Sequence, residues 1–290
     1  MRSEQRILVT GATGYQGNAV ARALLGEGWS VRALVRDPAK PAAVELQRLD
    51  AELVRGNFDD PESLDRACAG CYGVLSVQTP MSPSGTLGEI RHGKALADAA
   101  GRAGVEHFVY SSVGSADKNT GIPHFESKWQ IEQYIRALGI PATVLRPVFY
   151  FENFTTFHRP SLENNVYVIR MAVKPSTRLA MIAVADIGAF AAIAFAAPRE
   201  YIGLTLEIGG DIVTMPEVVA KMRGHFGKHF AFEPLPIEAV REFSADLALM
   251  FQWFDRVGQS VDIADLRRRH PKLMSLSDWL DRSGWGLVRD

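Results

Sequence analysis

A glycine-rich turn between a strand and a helix is the feature that most limits how this chain can fold. The segment ILVTGATGYQG places Gly11, Gly14 and Gly17 directly after an apolar run that predicts a buried strand, and at the start of a helical pattern. Glycine allows a tight turn and a close approach of backbone N–H groups at this point. The turn therefore predicts the first strand–helix connection of an open, twisted sheet.

Five further apolar runs follow in the first half of the chain, and helical patterns separate them. The six predicted strands cover residues 6–10, 31–35, 51–56, 73–77, 107–112 and 142–147. Strands and helices that alternate in this way predict an α/β domain, a doubly wound parallel sheet of the Rossmann type with helices on both faces. We place this dinucleotide-binding type of domain at residues 1–154.

After about residue 155 the pattern changes to shorter strands mixed with helices. Strands are predicted at 167–173, 204–210 and 229–235, and helices at 186–198, 215–227 and 237–258. This pattern predicts a smaller C-terminal α+β domain at residues 155–290, with some elements packing back on the first domain. The two domains are expected to form a ligand cleft at the carboxyl edge of the sheet.

Charge and composition argue against several classes of protein. The 32 basic and 33 acidic residues leave a net charge of −1, so no global field favours nucleic acid or an anionic membrane. No apolar run is long enough to span a membrane, and the N-terminus lacks the pattern of a secretory leader. Two cysteines, Cys68 and Cys71, are better interpreted as reduced thiols than as a disulfide framework. We expect a cytoplasmic protein without a bound metal.

The glycine-rich turn is typical of dinucleotide sites, although its spacing, G-x-x-G-x-x-G, differs from the G-x-G-x-x-G fingerprint. The helix N-terminus behind it offers a partial positive charge to a pyrophosphate. At the end of the second strand, where an acidic residue would bind the ribose of NAD, the chain has Arg36, with Lys40 one turn later. Because a guanidinium binds a phosphate through two hydrogen bonds, we expect NADP(H) over NAD(H). Asp37 would serve NAD if the strand ended one residue later.

The segment HFESK places His124 and Lys128 four residues apart at the start of a predicted helix. In short-chain dehydrogenases a Tyr acid stands four residues before such a Lys, but none of the seven tyrosines here has a Lys at that offset. His124 occupies the Tyr position and is a candidate catalytic proton donor, with a polar helix-start residue as the alternative. Lys128 is expected to contact a ligand; the alternative is an exposed Lys paired with Glu132.

These motifs, together with LRPVFYFENF at 145–154 and VADIG at 184–188, resemble the NmrA-like branch of the atypical short-chain dehydrogenases over nearly the whole chain. The resemblance implies contacts along NADP(H). Those at the pyrophosphate are Gly11, Ala12, Thr13, Gly14, Tyr15, Gln16 and Gly17, those at the 2′-phosphate are Arg36 and Lys40, and those at the adenine are Asn57 and Phe58. Those on the nicotinamide side are Gln78, Thr79, Pro80, Lys128, Tyr150, Phe151, Glu152 and Asn153, and Arg91 matches a further basic position. Asn57 departs from the Asp common in its place.

The same branch contains non-catalytic redox sensors and NAD(P)H-dependent reductases of quinones and similar acceptors. The resemblance implies an NADP(H)-responsive regulator whose output is an interaction with a partner. The alternative is an oxidoreductase that passes hydride to a quinone-like acceptor, so the enzymatic status stays open. The missing Tyr disfavours carbonyl or sugar-nucleotide chemistry more than quinone reduction, because hydride can pass directly to an electron-poor acceptor while solvent supplies the proton.

Overall fold

The computed structural model describes residues 2–287 and divides them into two compact units. The first unit extends to Asn119 and includes Pro123–Pro147 and Ile187–Leu206. The second unit includes Thr120–Ile122, Val148–Asp186 and the chain from Glu207 onward. The division into domains after residue 154 stays a prediction.

The described residues form thirteen strands, twelve α-helices and two 3-10 helices. The strands, β1 to β13, are Arg6–Val9, Ser30–Val35, Glu52–Arg55, Gly73–Ser76, His107–Ser111, Ala142–Pro147, Phe149–Tyr150, Ser161–Glu163, Val166–Met171, Leu179–Ile182, Thr205–Ile208, Asp211–Val213 and Phe230–Pro234. The helices, α1 to α12, are Tyr15–Gly26, Pro41–Arg48, Pro61–Cys68, Gly85–Ala103, Pro123–Leu138, Val184–Ala196, Pro198–Tyr201, Met215–Phe226, Ile237–Phe243, Ala245–Arg256, Ile263–Arg269 and Leu276–Arg282. The 3-10 helices are Arg2–Glu4 and Phe151–Thr155.

A seven-stranded sheet lies at the centre of the first unit. Its strands follow the order β3-β2-β1-β4-β5-β6-β11, and β1 to β6 pair in parallel. All six strands predicted in the first half of the chain are present, with ends that differ by at most one residue. The order reverses between β1 and β4, so the carboxyl ends of these two strands mark the switch point where ligands bind in doubly wound folds. The predicted fold class is confirmed.

The outermost strand of this sheet, β11, comes from the part of the sequence that was assigned to the second domain. Gly203 donates its N–H to the Ala142 carbonyl at 2.7 Å, and Val144 donates to the Leu204 carbonyl at 2.9 Å. Residue numbers increase in the same direction in both segments from the first bond to the second, so β11 runs parallel to β6. This pairing depends on contacts between distant parts of the chain, which the local residue pattern does not report.

Helices of the first unit pack closely where glycine leaves room. A Cβ at Gly188 in α6 would lie 2.6 Å from the Ala19 carbonyl oxygen of α1. A Cβ at Gly93 in α4 would lie 2.7 Å from Ile131 Cδ1 of α5. Fully buried side chains of α4 and α5, with Phe108 of β5, belong to one apolar cluster. These close contacts fix α4 and α5, the helices that follow β4 and β5, against each other.

The second unit contains two three-stranded sheets, ordered β12-β10-β7 and β13-β9-β8. Helix α8, predicted at 215–227, begins with a capping box between Thr214 and Glu217, and Gly227, whose φ is 61°, is its C-cap. The single helix predicted at 237–258 is wrong. It is two helices, because Ser244 leaves the helical conformation and its side chain caps α10. In the described part of the chain no helix is both long and apolar enough to cross a membrane.

Candidate functional site

The glycine-rich turn has the geometry that its sequence predicted. Gly11 has a φ of 60°, and a Cβ there would lie 2.8 Å from Val77 Cγ1. A Cβ at Gly17 would lie 2.3 Å from the Gly11 carbonyl oxygen, so neither position has room for a side chain. Gly14 is the N-cap of α1, which has no side-chain cap and no acidic residue in its first turn. The turn therefore presents a positively polarised helix N-terminus at the carboxyl end of β1.

Side chains from neighbouring strands hold this turn in place. Thr10 Oγ1 donates to the Leu75 carbonyl at 3.0 Å and accepts from the Val77 N–H at 3.0 Å. Ser111, the last residue of β5, donates to Gln16 Oε1 at 2.5 Å. Sequence reasoning missed Ser111, although its place at the carboxyl end of a central strand was a usable signal. The turn is thereby fixed to the ends of β4 and β5.

The segment after β4 keeps its predicted ligand residues at this same edge. Gln78 is buried, and its Nε2 donates to Ser76 Oγ at 3.0 Å. Thr79 is exposed, and its hydroxyl accepts the Met81 N–H at 3.2 Å. Pro80 is half-buried. The contacts of residues 78–80 with a cofactor stay a prediction.

Arg36 is the first residue after β2, which ends at Val35. The strand therefore does not extend by the one residue that would have put Asp37 in the ribose position. The Asp37 carboxylate instead accepts the Ala39 N–H at 2.9 Å, which stabilises the turn that follows. Lys40 is exposed at the N-cap of α2.

A pocket of about 650 Å³ opens beside Arg36. Its lining residues are Arg36, Arg55, Gly56, Asn57, Asp59, Asp60 and Arg66. The sequence did not point to Arg55 or Arg66. Arg55 is the last residue of β3 and Arg66 lies within α3, and neither belongs to a recognisable motif. Lys40, expected beside Arg36, does not line this pocket.

One carboxylate of the pocket, that of Asp59, already has hydrogen-bond partners. Asp59 Oδ1 lies 2.7 Å from Arg91 Nη2 and 2.9 Å from His92 Nε2. The hydrogen bond from Arg91, and then that from His92, hold the pKa of Asp59 below its ordinary value. Arg91 thus lies at the adenine-side loop, and its own contact with a cofactor stays a prediction.

The arginines of the pocket differ in their partners. Arg66 lies 3.9 Å from Asp60 and 3.7 Å from Glu62, at the limit of an ion pair. Arg36 and Arg55 are exposed, and neither forms an ion pair with any residue that the structure describes. Two guanidinium groups at this pocket therefore keep all their donors for a ligand.

The loop after β3 forms the remaining wall. Asn57 Oδ1 accepts the Asp59 N–H at 2.8 Å, and the Asn57 N–H donates to Ser63 Oγ at 3.1 Å. Phe58 stacks on His92 with ring centroids 5.3 Å apart. Asn57 thus has a defined role in its own turn.

Lys128 and His124 both lie in the first half of α5, and both are buried. Lys128 Nζ donates to Glu89 Oε1 of α4 at 2.7 Å. The alternative of an exposed Lys paired with Glu132 is therefore wrong. His124 makes an edge contact with the Phe125 ring, with centroids 4.8 Å apart. The proton-donor role of His124 stays a prediction.

Glu132 has other partners. Its carboxylate accepts Arg146 Nε at 2.9 Å and Nη2 at 2.8 Å, and Ser112 Oγ at 2.6 Å. Arg146 also lies 2.9 Å from Asp117 and 5.7 Å above the Trp129 ring. This network joins α5 to β6 and to the chain after β5, and so fixes the helix that carries Lys128.

The predicted segment Tyr150–Asn153 lies in the second unit. Phe151 is fully buried, with its ring centroid 5.7 Å from that of Trp279. Glu152 accepts the Val184 N–H at 3.1 Å and the Trp279 indole N–H at 2.9 Å, and burial raises the pKa of its carboxyl. These two residues stabilise the start of α6 and the contact with α12. The contact of the segment with a cofactor stays a prediction.

The two cysteines form no disulfide and are buried. Burial raises the pKa of the Cys68 thiol to about 12. A thiol with so high a pKa is not a nucleophile near neutral pH. Cys68 and Cys71, although they have C-x-x-C spacing, therefore belong to the core and not to the candidate site.

Two comparisons relate the chain to known sequences. The model of the NmrA-like family matches residues 3–280. An NmrA-like family domain-containing oxidoreductase of Aspergillus hancockii is 32% identical over 251 residues, which cover 79% of this chain and 75% of that one.

Solved structures share the fold. NmrA, a negative transcriptional regulator, in complex with NADP has a TM-score of 0.81 at 21% identity, with 96% of this chain and 95% of that one covered. The same protein in complex with NAD gives 0.82 at 21% identity, with the same coverage. The triphenylmethane reductase of Citrobacter sp. complexed with NADP(H) gives 0.81 at 24% identity, with 96% and 99% covered. Since the family model spans nearly the whole sequence, the chain belongs to the NmrA-like family.

Proposed function

We propose that this protein binds NADP(H) and acts as a redox-responsive regulator whose interactions with a partner follow the state of the cofactor. The observation that carries the proposal is the pocket of about 650 Å³ at the carboxyl edge of the sheet, with Arg36 and Arg55 in its wall, neither of them paired with a residue in the described range 2–287. Beside it, the glycine-rich turn presents the N-terminus of α1. Two structures of the same fold were solved with NADP or NADP(H), which supports a dinucleotide as the ligand.

Charge supports NADP(H) over NAD(H). The 2′-phosphate of NADP(H) carries a charge near −2 at neutral pH, and two unpaired guanidinium groups match it. An acidic residue would be needed to bind the free ribose hydroxyls of NAD, and the Asp37 carboxylate is used within its own turn. NmrA itself was solved with either dinucleotide, so the preference in this chain depends on its own arginines.

The absence of a Tyr four residues before Lys128 supports a regulator over a Tyr-dependent dehydrogenase. In this proposal Lys128 contacts the ribose on the nicotinamide side, and residues 78–80 line the same part of the cofactor. Such contacts bind the cofactor whether or not chemistry follows. A cytoplasmic location and a protein partner belong to the same proposal.

The second candidate is a reductase that passes hydride from NAD(P)H to a quinone-like acceptor. Two similar proteins favour it: one is named an oxidoreductase, and the other reduces triphenylmethane dyes according to its name. An electron-poor acceptor takes hydride directly and obtains its proton from solvent, so the missing Tyr is no obstacle. In this second candidate His124 is the proton donor if the acceptor needs one.

Two measurements test the proposal. Titration of the purified protein with NADPH, NADP⁺ and NADH should show NADPH binding at least about tenfold tighter than NADH, since one charged contact contributes about 1.4 kcal/mol or more. Equal affinities would remove the 2′-phosphate assignment, and no binding would remove the proposed function. NADPH oxidation with a panel of quinones at the rate of the buffer blank supports the regulator. Turnover well above the blank establishes the reductase instead.

A further inference from the structure

Glu89 is a fully buried carboxylate whose two oxygens both have partners on α5. Its Oε1 accepts Lys128 Nζ at 2.7 Å, and its Oε2 accepts Ser127 Oγ at 2.5 Å. Glu89 itself lies in the second turn of α4. The three side chains form a closed cluster, the Glu89 cluster, between the first halves of two helices in the first unit.

The stability of the fold does not explain a charge at this place. The buried part of the interface between α4 and α5 is close-packed and mostly apolar, as the contact of Gly93 with Ile131 shows. Another hydrogen bond between the two helices, from Tyr134 Oη to Asp98, is only half-buried. Burying an ion pair costs solvation, and apolar residues of similar volume are often as stable or more so. Stability alone therefore does not account for the Glu89–Lys128 pair, and of its two side chains only that of Lys128 is partly exposed.

The cluster leaves Lys128 partly available. The ammonium has three N–H donors, of which Glu89 accepts one, and the Lys128 side chain is 10% exposed while that of Glu89 is 0% exposed. A donor can still reach a ligand hydroxyl from this edge. The carboxylate meanwhile cancels the charge of the ammonium, so the pair presents no net charge.

We propose that Glu89 is the positioning residue of the nicotinamide-side ribose site: it holds the Lys128 ammonium in place and cancels its charge, and so keeps the affinity for oxidised cofactor close to that for reduced cofactor. The proposal rests on the proposed function, because it takes Lys128 as the ribose contact. The nicotinamide ring is cationic in NADP⁺ and neutral in NADPH. An ammonium without its carboxylate would therefore repel only the oxidised form.

The test compares the dissociation constants of NADP⁺ and NADPH in the wild type and in Glu89→Gln. Glutamine keeps the shape and can accept from Lys128 and donate to Ser127, but it lacks the charge. The ratio of the NADP⁺ to the NADPH dissociation constant should rise about tenfold, the order expected for one partly screened charge pair at the range of a ribose. The double variant Glu89→Gln/Lys128→Met should return the ratio to within about twofold of the wild type, with both affinities lowered.

The matched control is Glu132→Gln, which removes another fully buried carboxylate of the same unit, one that pairs with Arg146. It should lower stability and, because it loosens the helix that carries Lys128, lower both affinities alike, so the ratio of the two dissociation constants should stay unchanged. Ser127→Ala removes the other hydrogen bond to Glu89 without a change of charge, and it should also leave the ratio unchanged.

The outcomes separate this inference from the proposed function. If the wild type binds neither cofactor, both are overturned. If the wild type binds and Glu89→Gln weakens both cofactors equally, or if the double variant keeps a raised ratio, only the role of Glu89 is overturned. If circular dichroism shows that Glu89→Gln does not fold, the double variant decides, since it buries no unpaired charge. Its ratio should equal that of the wild type at lower affinity, and a changed ratio overturns the proposal.

Discussion

Arg146 and Glu132 form a buried ion pair with two hydrogen bonds, Nε to Oε1 at 2.9 Å and Nη2 to Oε2 at 2.8 Å. Arg146 belongs to β6 and Glu132 to α5, and the side chains are 4% and 0% exposed. Ser112 adds a third bond to the same carboxylate. The pair therefore fixes the position of α5, and with it the position of Lys128, relative to the sheet.

Replacing Arg146 with Met should lower the free energy of unfolding by about 3–5 kcal/mol, because Glu132 would lose the main partner of a buried charge. Urea denaturation followed by circular dichroism measures this loss. Arg159→Met is the control, since Arg159 is exposed, and its change should stay within about 0.5 kcal/mol. A loss below about 1 kcal/mol for Arg146→Met would show that water or Arg136 compensates the carboxylate.

Arg36→Ala and Arg55→Ala should each lower the affinity for NADPH by about tenfold or more, because each removes a charged hydrogen-bond donor to the 2′-phosphate. The affinity for NADH, which lacks this phosphate, should stay within about twofold. Calorimetric titration measures both. Arg48→Ala removes an exposed arginine outside the pocket and should change neither affinity. Equal losses for NADPH and NADH would assign the two arginines to the shape of the loop and not to the phosphate.

Gly17→Ala should abolish cofactor binding and destabilise the first unit. The new Cβ would lie 2.3 Å from the Gly11 carbonyl oxygen, so the turn would have to open. Gly26→Ala is the matched control at the end of the same helix, where a Cβ would lie more than 4 Å from every atom of the described chain outside its own surroundings in the helix. This control should bind the cofactor as the wild type does and be as stable or slightly more stable. Thermal unfolding and an NADPH titration of both variants check the contrast, which would fail if Gly17→Ala bound normally.

His107 should make stability depend on pH in the acid range. Thr143 Oγ1 donates to the Tyr201 carbonyl at 2.7 Å and lies 2.8 Å from His107 Nε2, so the neutral ring donates through Nε2. Burial lowers the pKa of His107 from 6.5 to about 4. The folded state thus binds this proton less readily than the unfolded state. The contribution of neutral His107 to the free energy of unfolding is complete above about pH 6.5. As the pH falls toward 4 this contribution is lost, which lowers the free energy of unfolding by up to about 3 kcal/mol.

His107→Gln keeps a donor for Thr143 but does not titrate. Urea midpoints measured between pH 7 and 4 should therefore fall less steeply in the variant than in the wild type. If the urea midpoints of the two proteins fell equally steeply with decreasing pH, the pH dependence of stability would not come from His107.

Local pattern alone was enough for much of the fold. The alternation of apolar strands with helices predicted β1 to β6 and the parallel sheet, because strand period and glycine placement are properties of neighbouring residues. The glycine-rich turn and Arg36 were predicted for the same reason, since a turn and the residue after a strand are defined by sequence position. The helix at 237–258 was predicted as one segment, because a capping Ser inside an apolar pattern is a weak signal beside the periodicity.

Sequence by itself was enough to predict β1 to β6, the dinucleotide-type turn and Lys128 as a candidate ligand contact. Only the tertiary structure decided what each meets: β11 beside β6, Arg55 beside the Arg36 pocket, and Glu89 on Lys128 across 39 positions of the chain. The physical reason is that a buried charge finds its partner through the packing of α4 on α5. That packing depends on distant residues such as Gly93 and Ile131, and no spacing along the chain records it.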